Sequence, residues 1–151
     1  SLDNITCELI ADLVHIHPAA IDIVWRSKGA DKVVLITDSV KLSGLPDGDY
    51  NFSHQDVELR DGDVRIKADG TLAGTTLHMN EALRNFMIAT GEPLENVWQV
   101  ASNNPARTIN VSNQKGSITI GKDADLILVD DEINVYMTVV EGRIVYHYQA
   151  D

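Results

Sequence analysis

Asp38 is the residue whose type and position best suit proton transfer. It follows the apolar run Val33–Ile36 and Thr37, at the C-terminal end of a predicted central strand. That edge is where α/β folds bind ligands and carry out catalysis. A carboxylate there can take a proton from an attacking water and return it to a leaving group. The same position also suits an Asp that only bridges into the next loop. His15 and His17 form a second feature, an H-x-H pair. On one strand they would share a face and could offer two imidazoles to a metal. Pro18 marks a helix start, however, so His17 has left the strand, and a two-His pair lacks the third ligand of catalytic zinc. His15 as a hydrogen-bond donor to a substrate anion fits better. The third feature is Leu72-Ala73-Gly74-Thr75-Thr76. Small residues before a helix let a ligand approach the backbone, and the N–H groups of a helix start bind oxygens. A plain capped helix would account for the two threonines equally well.

The elements that must position these residues follow from periodicity. Cys7 to Ile16 reads as a buried strand. Residues 18–28 place Ile21, Val24 and Trp25 at helical spacing, and Gly29 ends that helix. Within Lys32 to Ser39, Val33–Ile36 is a second fully buried strand, so the three form a βαβ unit with parallel strands. Residues 41–73 change character. Val57–Leu59 and Val64–Ile66 alternate around Asp61-Gly62, a hairpin signal. Met79, Leu83, Phe86 and Met87 stripe one helix, capped within Gly74–Thr76 and stopped by Gly91. A second helix runs from Pro93 past Ala101 and breaks at Asn104-Pro105. Ser117–Ile120, Ala124–Val129, Val135–Val140 and Arg143–Tyr148 read as strands, the last two joined by Glu141-Gly142.

Composition excludes several classes. The 151 residues suffice for one domain but not for a complete (β/α)8 barrel, which takes about 250. A net charge of −11 makes a broad nucleic-acid surface untenable. Cys7 is the only cysteine, so neither an intrachain disulfide nor a four-thiolate zinc site can form. No apolar run reaches the roughly 18 residues of a membrane span. Ser1–Asn4 carries no leader signature. The expectation is a cytoplasmic protein with no membrane partner. The sequence contains no dinucleotide fingerprint, P-loop or nucleophile elbow.

The order of ADLVHIHP (11–18), VVLITDS (33–39), DGTLAGTTLHMNEALRN (69–85), ASNNPAR (101–107) and KGSITIGKDADLILVD (115–130) resembles the C-terminal portion of the N-acetylglucosamine-6-phosphate deacetylase family, within the amidohydrolase superfamily. The stretch Gly121–Leu126 marks the superfamily, whereas Leu72–Met79 with Asn104–Arg107 is narrower. The resemblance implies a fold: the C-terminal part of a metal-dependent (β/α)8 TIM barrel plus strands of a small β-sandwich. Residues 1–49 would hold barrel strands seven and eight with their connecting helix. Residues 50–70 would be a hairpin of the sandwich, 71–112 helices packing on the barrel, and 113–151 the last sandwich strands.

The resemblance also implies an activity, the removal of acetate from N-acetylglucosamine 6-phosphate to give glucosamine 6-phosphate. Asp38 matches the family's catalytic aspartate, general base toward a metal-bound water and then general acid toward the departing amine. His15 matches a substrate-binding histidine near the sugar phosphate. Asp12, Leu13 and Val14 match a substrate-contacting stretch, and Leu72, Ala73 and Gly74 a loop that touches the sugar. Leu13 stands where many members have Gly, and Ser39 where Ala is commoner. The family's cofactor is a divalent metal, zinc, iron or similar. Its ligands match no residue of this chain and would lie upstream, so no metal is expected to be held by the chain alone. The chain is then expected to be a C-terminal portion, inactive alone, whose partners are the phosphorylated amino sugar, the N-terminal part of the same enzyme, and a second copy in a homodimer. Two other readings stand beside this one: a non-catalytic scaffold module derived from an amidohydrolase, and an amidohydrolase with another substrate.

Overall fold

The computed structural model describes residues 4–149. The expectations for Ser1–Asp3 and for the last two residues of the C-terminal segment lie outside the described residues.

Strand β1 (Cys7–Ile10), helix α1 (Pro18–Lys28) and strand β2 (Val33–Ile36) form the βαβ unit. β1 and β2 are parallel, with Cys7 opposite Val33 and Ile10 opposite Ile36. Helix α2 (Met79–Thr90) lays Leu83 and Phe86 into a core shared with Leu9, Ile21, Val33 and Leu35. Trp25 of α1 meets the Phe86 ring edge-on at 5.5 Å, a geometry that aromatic quadrupoles favour. β1 ends earlier than periodicity predicts, whereas β2 has the predicted bounds Val33–Ile36. The chain after β1 turns because the Asp12 carboxylate captures the N–H groups of Val14 and His15. β2 stops before Asp38, whose φ of 51° no strand tolerates.

A four-stranded antiparallel sheet follows, in the order β3 (Gly48–Phe52), β4 (Gln55–Arg60), β5 (Asp63–Ile66), β6 (Leu72–Thr75). The predicted hairpin is β4–β5, and Asp61 and Gly62 both take positive φ at its tip, as a two-residue primed turn requires. This sheet has its own core of Leu42, Val57, Leu59 and Val64. Two predictions change here. Leu72–Gly74 is a strand, not the approach to a helix. The cap of α2 is His78, whose N–H donates to the Glu81 carboxylate at 3.1 Å, not a residue within Gly74–Thr76.

The predicted second helix is broken into α3 (Leu94–Val97), a 3-10 turn (Trp98–Ala101) and α4 (Asn103–Thr108). Asn104-Pro105 therefore lies in the first turn of a helix, where the missing proline N–H is tolerated. The buried Asn104 amide donates to the Ala30 and Val33 carbonyls, each at 2.7 Å. It fastens the start of β2.

The chain ends in an antiparallel meander, β7 (Leu126–Val129), β8 (Val135–Val140) and β9 (Arg143–His147). The predicted strand Ser117–Ile120 does not form. No strand among the described residues pairs with it, and Ile118 is 90% exposed. Ionic contacts tie the neighbouring turn instead. The Lys115 ammonium bridges Asp123 and Asp125 at 2.8 and 2.5 Å, and Asp125 accepts the Glu141 N–H at 2.8 Å. Hydrogen bonds to those two carboxylates hold the Lys115 ammonium above its ordinary pKa. The Gly121–Leu126 signature is thus a fastening for the β8–β9 turn. Among the described residues, no helix is long and apolar enough to cross a membrane.

Candidate active site

Parallel pairing places the C-terminal ends of β1 and β2 at one edge. Asp12–His15 follows the first strand and Asp38 the second. Ligands of open α/β sheets bind at such an edge.

Asp12 organises the first of these loops. Its side chain is 7% exposed. One oxygen accepts the Val14 and His15 N–H groups at 3.0 and 2.9 Å, and the other meets His15 Nδ1 at 2.6 Å. Burial raises the Asp12 carboxyl. The hydrogen bonds from His15 and from the two backbone amides outweigh it and leave the group below its ordinary 3.8. With Nδ1 donating to Asp12, His15 presents Nε2 without a partner among the described residues, free to meet a ligand. Leu13 has a φ of 66°, a left-handed backbone in which a Cβ is strained. The Leu13 side chain packs against the main core, whereas Val14 is exposed.

Asp38 is exposed, and among the described residues nothing bonds its carboxylate. Its backbone is held by β6. The Thr75 N–H donates to the Asp38 carbonyl at 3.0 Å, and the Val40 N–H donates to the Thr75 carbonyl at 2.9 Å. Gly74 makes this approach possible. A Cβ there would lie 2.5 Å from Val40 Cγ1 and 3.1 Å from the Asp38 oxygen. Glycine is needed at that point because two backbones meet. Ala73 packs against the small core, and Leu72 pairs with Arg65.

The expected cluster of free N–H groups is not there. Those of Thr75, Thr76, Leu77 and His78 go to the Asp38 carbonyl, the Gly62 carbonyl, Thr75 Oγ1 and the Glu81 carboxylate. This segment is therefore not an anion cradle of the helix-terminus kind. An open cavity of about 330 Å³ lies beside it, lined by Asp12, Val14, Asp61, Thr76, His78 and Glu81 among others. Asp12 and Val14 reach this cavity, while Asp38, Leu13 and His15 do not line it. Its carboxylates favour hydroxyl and cationic groups over phosphate.

Two contacts escaped the sequence reading, which took Thr75 only as a helix cap and gave Asn85 no separate role. Thr75 donates its hydroxyl to the Thr37 carbonyl at 2.7 Å. The Asn85 amide donates to the Ala11 carbonyl at 2.9 Å, holding the end of β1 just before Asp12. Both look like ordinary cap or helix-face residues in one dimension. Their partners lie 38 and 74 residues away.

The residues present do not fit a metal ion. Among the described residues, no group of three or more His, Cys, Asp or Glu side chains is placed to hold one. His17 Nδ1 caps α1 by accepting the Ala19 N–H at 3.2 Å, and His15 Nδ1 is engaged by Asp12, so the H-x-H spacing serves other ends.

A parallel strand pair with polar residues at its C-terminal edge, joined to small β-sheets, defines the class. The Amidohydrolase family pattern matches residues 1–145, and the chain belongs to that family. More narrowly, it is similar to the N-acetylglucosamine-6-phosphate deacetylase of Bacillus subtilis (strain 168), 40% identical over 144 residues, covering 95% of this chain and 36% of the relative. It is also 36% identical over 137 residues to the N-acetylgalactosamine-6-phosphate deacetylase of Escherichia coli O157:H7, covering 91% of this chain and 36% of that protein. The crystal structure of N-acetylglucosamine-6-phosphate deacetylase from Thermotoga maritima superimposes with a TM-score of 0.91 at 37% identity, over 97% of this chain and 40% of that one. The chain thus spans little more than a third of the length of these relatives.

Proposed function

We propose that this chain carries the acid–base carboxylate and part of the sugar-binding surface of an enzyme that hydrolyses the acetamido group of N-acetylglucosamine 6-phosphate. β1 and β2 are read as strands seven and eight of a (β/α)8 barrel, and the two antiparallel sheets as parts of its small β domain. Segments of the whole enzyme outside this chain complete the barrel and hold its divalent metal.

One observation carries the reading: Asp38 stands, with a free carboxylate, at the same strand-end edge as the Asp12–His15 loop. Asp38 takes a proton from the attacking water as the new C–O bond forms at the acetyl carbon. It then delivers that proton to the nitrogen as the C–N bond breaks, releasing acetate and the amine. His15, fixed through Nδ1 by Asp12, turns Nε2 to the phosphorylated sugar. The hydroxyls go to the acidic cavity beside Val14 and Thr76, and the phosphate stays outside it. The galacto epimer is a second substrate reading, since a relative named for it is nearly as similar.

Titration of the isotope-labelled chain with N-acetylglucosamine 6-phosphate tests this. Amide shifts should concentrate at residues 12–15, at 38 and at 74–77, and His15→Ala should weaken the response. The galacto epimer, titrated in parallel, ranks the two sugars. Shifts confined to other surfaces, or no response to either sugar, contradict the proposal.

A further inference from the structure

We propose that Thr75 is a positioning residue for Asp38, setting the direction of its carboxylate through the backbone; this rests on the reading of Asp38 as the acid–base group. Among the described residues the Asp38 carboxylate has no side-chain or backbone partner, so its aim follows from the main chain that carries it. That main chain has a φ of 51° at Asp38, a region that asparagine and aspartate visit but that the rest of a strand end does not stabilise. Something must hold it there.

Thr75 does so from three atoms. Its N–H donates to the Asp38 carbonyl at 3.0 Å, and its carbonyl accepts the Val40 N–H at 2.9 Å. Its hydroxyl donates to the Thr37 carbonyl at 2.7 Å. Residues 37, 38 and 40 are thereby gripped by one residue, which also bridges Ser39 in parallel register. The same hydroxyl accepts the Leu77 N–H at 3.0 Å, which links the grip to the start of α2. Thr75 is 2% exposed, and a buried hydroxyl that satisfies two backbone groups is not interchangeable with a methyl. Gly74 permits the approach, because a Cβ would drive Val40 away. A link to the segment before α2 would need the Leu77 contact only. The Thr37 contact serves the strand end.

The test compares Thr75→Val, which keeps the shape and removes the hydroxyl, with Thr75→Ser, which keeps the hydroxyl. Amide exchange and amide shifts are followed in the 151-residue chain. Thr75→Val should speed exchange of the Val40 amide by about tenfold or more and shift the Asp38 and Ser39 amides. The amides of β7–β9 should stay in place, and Thr75→Ser should restore the original values. Unchanged Val40 exchange and Asp38 shifts in Thr75→Val overturn the proposal. So does a Thr75→Ser variant that behaves like valine. A measurement on the unsubstituted chain guards against a valine variant that does not fold: a scalar coupling across the Thr75 N–H to Asp38 carbonyl bond should be seen, and its absence overturns the proposal. Where turnover is measured, Thr75→Val should lower kcat with KM little changed. If Asp38→Asn retains turnover while the exchange result holds, the catalytic reading of Asp38 has failed and the positioning geometry has not.

Discussion

Replacing Asp38 by Asn, Ala and Gly separates its backbone from its chemistry. At a φ of 51°, an L-residue pays roughly 1–2 kcal/mol, and aspartate and asparagine adopt this region several-fold more readily than other residues with a Cβ. Asp38→Asn should therefore leave stability within about 0.5 kcal/mol. Asp38→Ala should lower it by roughly 1 kcal/mol, which for a chain of this size is a fall in Tm of about 2–4 °C. Asp38→Gly should be free of the left-handed strain but lose stability through the greater entropy of its unfolded chain, and so fall between the two. The carboxylate itself is exposed, so its removal adds little to these figures. Thermal melts of the four chains, followed by circular dichroism under one buffer, give the order. An alanine variant as stable as the asparagine variant would refute the claim that this backbone is held left-handed against a penalty. An asparagine variant many degrees less stable would show that the carboxylate has a structural partner.

Two further outcomes follow from the geometry. Asn104→Leu removes the amide donor from the half-buried Ala30 carbonyl and the buried Val33 carbonyl; at roughly 1–3 kcal/mol for each unsatisfied group, Tm should fall by roughly 4–24 °C, and a fall under 2 °C would show that those carbonyls find other partners. The Asp12 loop predicts a pH dependence. Its folded pKa lies below the ordinary 3.8, so its contribution to stability is fully present above that value and is lost as pH falls through the folded one. Acid melts of the unsubstituted chain should lose more stability below about pH 4 than those of Asp12→Asn, and parallel curves would contradict the assignment.

The βαβ unit, the β4–β5 hairpin, α2 and the β8–β9 turn were legible because each is specified locally, by period, by Asp-Gly or Glu-Gly, or by a stop glycine. The end of β1 was not. Where β1 stops depends on a carboxylate taking two amides two and three residues ahead, and apolar patterning does not register that. Ser117–Ile120 reads as a strand because its residues suit one, yet a strand needs a neighbour, and none pairs with it here. At the candidate site, Asp38 and His15 were picked out by type and strand end, whereas Asp12, Leu13 and Val14 came only through the family resemblance. Gly74 was picked out, but for the wrong cause: it looks like an opening for a ligand and is a crossing point for two backbones. Thr75 and Asn85 were hidden, since a hydroxyl or amide that serves a distant carbonyl leaves no mark in the local pattern.

The central claim is that Asp38 moves the proton. Its most direct test is acetate release from N-acetylglucosamine 6-phosphate by the active enzyme containing this chain, with Asp38 and with Asp38→Asn, at matched folded concentration. The asparagine enzyme should lose at least about 100-fold in kcat, the range of general acid–base catalysis, while its melt is unchanged. Turnover within a few-fold of the unsubstituted enzyme would contradict it.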